Sequence, residues 1–214
     1  MRYNSPTMAK QTIIIGITGA SASGKSLLAS TLVQELGSEQ VATIAEKSYY
    51  KAANNLSCAQ REKINYDHPD AFDHDLMCTH LQELRANKVV QIPCYDYIKR
   101  DRSANTRQIG PHAIIVVEGI LLLEEQNIRN LLDMSIFMDT PLDICLIRRI
   151  RRDIHKRNRD LEAILVQYET TVRPMYQQFI EPYRRYADII VPHGGRNRIA
   201  IDVIKAQMRA LLST

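Results

Sequence analysis

The run Gly19-Ala20-Ser21-Ala22-Ser23-Gly24-Lys25-Ser26 reads G-x-x-x-x-G-K-S, a spacing suited to holding a polyphosphate. Gly19 and Gly24 let the backbone turn successive amides inward, and the start of a following helix adds partial positive charge. Lys25 reaches the outer phosphates, and the Ser26 hydroxyl can ligate Mg2+. The apolar residues Ile13 to Ile17 lead straight in, and helix formers begin at Lys25, which is the strand–loop–helix setting this chemistry needs. A plain small-residue turn would not require that setting. The segment is read as a nucleoside triphosphate site.

Two further features point the same way. Glu118 follows the apolar run Ile114 to Val117, and ligands gather at the carboxyl ends of such strands, so Glu118 is a candidate second ligand for Mg2+, directly or through water. From Arg148 to Arg159 basic residues crowd around a single acid, Asp153. Such a run is often a solvated helix face, or else a nucleic-acid patch. Beside a triphosphate site it reads better as a movable arginine-bearing lid, because phosphoryl transfer needs cations around the moving charge and exclusion of water.

These residues need elements to hold them. Ile13–Ile17, Val41–Ala45, Ile114–Val117, Ser135–Met138 and Ile189–Val191 are short apolar runs suited to strands buried on both faces. Helical periodicity follows or precedes them at 25–36, 76–84, 144–154 and 199–211. The isoleucines 144, 147, 150 and 154 are expected to bury one face of their helix and leave the arginines outside. Val89 to Tyr97 alternates and contains Pro93, so it is expected to form a small hairpin insertion outside the main sheet, over about 88–110, with the lid helices over about 148–172. The expected architecture is one α/β domain over 1–214, with the P-loop kinase or hydrolase fold and a parallel sheet flanked by helices.

Composition agrees. The chain has 214 residues, 45% hydrophobic and 24% charged, and 28 Lys+Arg against 24 Asp+Glu give a net charge of +4, which excludes a disordered or collagen-like chain and does not demand nucleic acid. The four cysteines have no zinc spacing and read as reduced thiols, and His68, His74 and His80 as ordinary histidines. Residues 1–10 do not resemble a signal peptide, and the longest apolar stretch is too short to cross a bilayer, so a cytoplasmic protein is expected.

The acceptor is suggested by resemblance. Glu46 to Lys51, Asn65 to Asp73, Ile92 to Tyr97, Glu118 to Leu121, Asp139-Thr140, Arg148 to Asp160 and Tyr186 to Gly195 resemble, in order, the motif series of the uridine kinase (uridine–cytidine kinase) family, most nearly its bacterial members. The resemblance implies transfer of the γ-phosphoryl of ATP or GTP to the 5′-hydroxyl of uridine or cytidine in pyrimidine salvage, by a homotetramer acting on small molecules. It places Asp67, Arg159 and Gln167 at the nucleoside, Tyr50, Tyr66, Tyr95 and Tyr97 as walls of the pyrimidine pocket, and Arg149, Arg152 and Arg157 in the lid. Aromatic walls do suit a flat base, and a carboxylate suits a diol.

Departures from that pattern matter. Lys47 stands where the family has an Asp that serves as base and helps to hold Mg2+, and an ammonium can do neither. A base is worth about 10²–10⁴-fold, so a slower enzyme is expected; the alternative is a member that binds nucleotide without efficient turnover. Glu46 and Asp67 are the substitute carboxylates to consider, Glu46 being the poorer if its segment is extended. Arg100 occupies the base-reading position, commonly His, and as a pure donor would favour uridine over cytidine if it reaches the base. Asn158 replaces a usual Gly in the lid. A kinase for another hydroxyl acceptor, such as a sugar phosphate, is disfavoured by the tyrosine-rich segments.

Overall fold

The computed structural model describes residues 11–53 and 56–213. The expectation for residues 1–10 therefore lies outside the described residues. In chain order the elements are β1 (Ile13–Gly19), α1 (Lys25–Leu36), β2 (Val41–Ala45), α2 (Cys58–Glu62), α3 (His74–Arg85), β3 (Val90–Asp96), β4 (Asp101–Ile109), β5 (Ile114–Glu118), α4 (Gln126–Arg129), β6 (Met134–Asp139), α5 (Leu142–Arg157), α6 (Leu161–Gln167), α7 (Arg173–Met175), β7 (Ile189–Pro192) and α8 (Arg198–Ser213).

Five strands pair in parallel in the order β2-β5-β1-β6-β7. Their apolar runs lack alternation because both faces are covered. On one face Ile15, Ile17, Val116 and Ile136 pack with Leu28 and Leu32 of α1 and with Ile201, Ile204 and Met208 of α8. On the other, Ile14, Ile44, Ile115 and Val117 pack with Met77, Leu81 and Leu84 of α3 and with Val90, Ile92 and Ile109 of the hairpin. Burying each large aliphatic side chain contributes about 1.5–3 kcal/mol. Ile14, Ile15 and Ile17 are wholly buried, which anchors β1 at the centre of the sheet.

The hairpin β3–β4 is antiparallel and separate from the main sheet, with a register shift between Pro93 and Tyr95. Pro93 lacks the N–H that an undisturbed ladder would use. The lid helix differs from the sequence expectation. On α5 the buried residues are Cys145, Arg149 and Asp153, while Ile144, Ile147 and Ile154 are exposed. The isoleucine stripe does not face the core. Arg149 and Asp153 can take the inner face because they pair with each other and with neighbours there, so neither charge is buried alone. The helix ends at Asn158, whose φ of 48° is left-handed, a conformation that Asn tolerates where Gly would otherwise serve.

Candidate active site

The phosphate cradle is the turn between β1 and α1. Gly24, at φ 107°, precedes α1, and its side of the turn has no side-chain cap, so the first amides of α1 are left for a ligand. The turn is braced from behind. Thr140 Oγ1, just past β6, donates to Ser23 O at 2.9 Å. A Cβ at Gly24 would lie 2.6 Å from Gly195 N, so the two glycine backbones pack directly on each other.

Lys25 is buried, and its Nζ donates to Gly19 O at 2.9 Å and Ala20 O at 2.7 Å. These carbonyls hold the ammonium over the loop. Burial pulls its pKa down to about 8, with the charge of Glu118 resisting the fall. Ser21 Oγ accepts from Arg149 Nη1 at 3.0 Å, while Ser26 is exposed at the first turn of α1. Ala20, Ala22 and Ser23 complete the turn, with the Ser23 side chain fully buried.

Glu118 ends β5, level with Ile17 of β1 and Ala45 of β2. That register delivers Lys47, two residues beyond β2, onto it: Lys47 Nζ lies 3.4 Å from Glu118 Oε1. Ser26 and Glu118 are the hard oxygen donors that Mg2+ favours. Ser26 suits the ion as it stands, whereas Glu118 is already bridged by an ammonium. Among the described residues no group of three or more His, Cys, Asp or Glu side chains could hold a metal.

Glu46 is not in an extended segment; residues Glu46–Tyr49 form a tight 3-10 turn. The turn points Glu46 inward, where it is wholly enclosed. Its carboxylate accepts from the Ile120 amide at 2.6 Å and the Leu121 amide at 3.1 Å, and pairs with His74 Nε2 at 3.0 Å. Those partners saturate it, so Glu46 is a structural acid. Asp67 is also buried, and burial raises its pKa against the opposing charges of Arg149, Arg152 and Lys25. That balance places Asp67 at the meeting of cradle and lid.

The four tyrosines come together. Tyr50 lies 5.0 Å from both Tyr66 and Tyr95, and Tyr95 lies 5.3 Å from Tyr97, ring centre to ring centre. Phe72 joins at 4.5 Å from Tyr50 and stacks on His74 at 5.2 Å. Burial raises the pKa of Tyr50, Tyr95 and Tyr97, so all three remain neutral phenols. Arg102 fixes this wall from outside. Its guanidinium donates to Tyr50 O at 2.6 Å, Tyr49 O at 3.1 Å and Asp73 Oδ2 at 3.1 Å. Arg100 turns to Glu62 at 3.6 Å, at the Tyr66 edge of the cluster.

The arginines expected to form a lid converge on one carboxylate. Asp153 has no solvent exposure and lies 2.7 Å from Arg152, 3.3 Å from Arg157, 3.5 Å from Arg159 and 3.9 Å from Arg149. Burial alone would raise its pKa, but the Arg152 hydrogen bond and the surrounding guanidinium charges hold it below the usual carboxylate range. Gln167 Oε1 accepts from Arg149 at 3.0 Å and Arg159 at 2.6 Å, which links α5 to α6. Arg157 also covers the Tyr97 ring at 4.9 Å, so α5 and the tyrosine cluster touch.

Sequence reasoning missed Asp153, Phe72 and Arg102 as parts of this site. Asp153 had a readable signal, since Arg149, Asp153 and Arg157 are spaced four residues apart and share a helix face. Phe72 and Arg102 had none, because only the chain's three-dimensional path brings them to Tyr50.

The model of the phosphoribulokinase / uridine kinase family matches residues 14–200. A uridine kinase of Klebsiella pneumoniae subsp. pneumoniae is 53% identical over 205 residues, covering 94% of this chain and 96% of that protein. A uridine kinase of Vibrio cholerae is 53% identical over 208 residues, covering 95% and 98%. Among solved structures, phosphoribulokinase from Rhodobacter spheroides superposes with a TM-score of 0.63 at 14% identity, over 86% of this chain and 71% of that one, a likeness of fold.

Proposed function

The chain belongs to the phosphoribulokinase/uridine kinase family, and we propose that it is a nucleoside kinase that moves the γ-phosphoryl of ATP or GTP to the 5′-hydroxyl of uridine or cytidine. The observation that carries this reading is the contact between Arg157 and Tyr97, which joins the arginine-rich α5 to the tyrosine cluster. A planar base packs well against aromatic side chains, and the cradle receives a triphosphate tail.

In this reading the loop from Gly19 to Ser26 wraps the phosphates, and Lys25 leaves its carbonyl partners for the outer phosphate oxygens. Arg149, Arg152 and Arg157 surround the moving phosphoryl group while Asp153 keeps them aligned. Tyr50, Tyr66, Tyr95 and Tyr97 enclose the base; Arg159 and Gln167 act on the sugar side. Glu46 is saturated and Glu118 is taken by Lys47, so Asp67 is the carboxylate assigned to the acceptor hydroxyl. As the bond from phosphorus to the bridging oxygen breaks and the bond to O5′ forms, the hydroxyl proton passes to Asp67.

Where the donor nucleotide brings Mg2+, Ser26 is the residue that would hold it, since Glu118, the other candidate, is bridged by Lys47. When bound, the ion neutralises charge on the phosphate oxygens. The product, UMP or CMP, belongs to pyrimidine salvage in the cytoplasm, and the resemblance favours a homotetramer. Among the described residues no helix is long and apolar enough to cross a membrane. Release of ADP, followed with uridine, with cytidine and with no acceptor, tests the reading. ADP release that rises with either nucleoside is expected, and identical release in all three arms would refute it.

A further inference from the structure

We propose that Lys47 is a built-in counter-cation of the phosphate site, holding Glu118 where a divalent ion would otherwise sit and letting the chain grip a nucleoside triphosphate that carries no Mg2+. This rests on the nucleotide-donor reading above and concerns how that donor's charge is met.

The geometry starts in the sheet. Pairing of Ala45 with Glu118 sets the end of β2 beside the end of β5, and the tight turn at Glu46–Tyr49 then swings Lys47 across that end. The result is the 3.4 Å ion pair. Glu118 is a buried acid, with only 10% of its side chain exposed, so its charge needs a partner. The Lys47 side chain is 47% exposed, and its head can turn from Glu118 to an incoming phosphate without crossing the protein interior. Lys25 feels the same carboxylate from the cradle side. Glu118 therefore faces the charge of two ammonium groups, and a divalent ion approaching it must displace Lys47 against the repulsion of Lys25.

The wider site has the same bias. The charges of Lys47 and Arg157 both oppose the rise that burial imposes on the Tyr97 phenol, and Arg157 lies over that ring at 4.9 Å. A metal-free triphosphate is more negative than its Mg2+ complex. Here it meets Lys25, Lys47, Arg149, Arg152 and Arg157, and a charge-assisted hydrogen bond from Lys47 to phosphate does locally what the ion does elsewhere.

Calorimetry with the β,γ-imido analogue of ATP, in EDTA and in excess Mg2+, tests this on the full chain. For the unaltered protein the two dissociation constants are expected to agree within about threefold, while Lys47→Met weakens metal-free binding by about tenfold or more and Lys47→Arg retains it. In Lys47→Met, Mg2+ then restores affinity, because Glu118 is released to the ion. Thermal melting of each variant confirms that the half-exposed position tolerates the change. Binding by the unaltered protein that tightens about tenfold or more with Mg2+, or a Lys47→Met variant with undiminished metal-free affinity, overturns the proposal while leaving the kinase reading intact. Absence of binding in both buffers removes the nucleotide reading itself.

Discussion

Replacing Asp153 with Asn keeps the side chain's shape and deletes its charge. Four guanidiniums then face an amide, and one of its two oxygen positions becomes an N–H₂ pointing at N–H donors. Removing one partner of a buried ion pair costs about 3–5 kcal/mol. Only Arg149 is itself deeply buried, at 7% side-chain exposure; Arg152 and Arg157 are about one-third exposed and can turn to water. Solvent screening of those two lowers the expected loss to about 2–3 kcal/mol. For a chain of this size that is about 5–10 °C in melting temperature. The effect has a defined pH dependence. Because the folded-state pKa of Asp153 is depressed, its contribution is complete above about pH 3.9, the unfolded value, and is lost as pH falls through the folded value. Differential scanning calorimetry should therefore show a gap between the unaltered protein and Asp153→Asn at neutral pH that closes in acid. The kcat should fall as well, by about tenfold or more, since misaligned lid arginines act in the transition state. A variant that melts with the unaltered protein at neutral pH and keeps its kcat would show that Asp153 does not organise the lid.

Nucleotide affinity should begin to fall as pH rises through about 8 and then decline by up to about tenfold per pH unit, because phosphate selects the protonated form of Lys25, whose pKa in the free protein is lowered to about 8; calorimetric affinities unchanged two pH units higher would contradict this. Arg102→Ala frees the backbone of Tyr49 and Tyr50, so KM for the nucleoside should rise about tenfold while KM for the donor stays put. Equal rises in both would point to general loosening instead. His74 is buried, which disfavours its charged form, yet the Glu46 hydrogen bond wins and raises its pKa. Its contribution to stability is thus complete below about pH 6.5 and disappears as pH rises through the higher folded value. Melting curves should show the gap between the unaltered protein and His74→Gln shrinking from pH 6 to pH 9, and a constant gap would be the contrary result.

The strands and the cradle were readable because they depend on local pattern: a continuous apolar run means burial on both faces, and G-x-x-x-x-G-K-S fixes backbone geometry over eight residues. The hairpin was readable from Pro93 and alternation. The orientation of α5 was not, because isoleucines at helical spacing suggest a core face and only the paired charges of Arg149 and Asp153 reverse it. Nor was the fate of Glu46 legible. Its role depends on His74 and on amides at 120 and 121, more than seventy residues away in the chain.

The direct packing of Gly24 on Gly195 has a consequence for biosynthesis. A ribosome makes the turn at Gly24 long before it makes the Gly195 backbone that buttresses it. Contacts of such long sequence separation form late, because the intervening loop must first be closed. Until Gly195 has emerged the nascent chain should therefore lack the completed turn, and nucleotide capture would mark the arrival of that backbone.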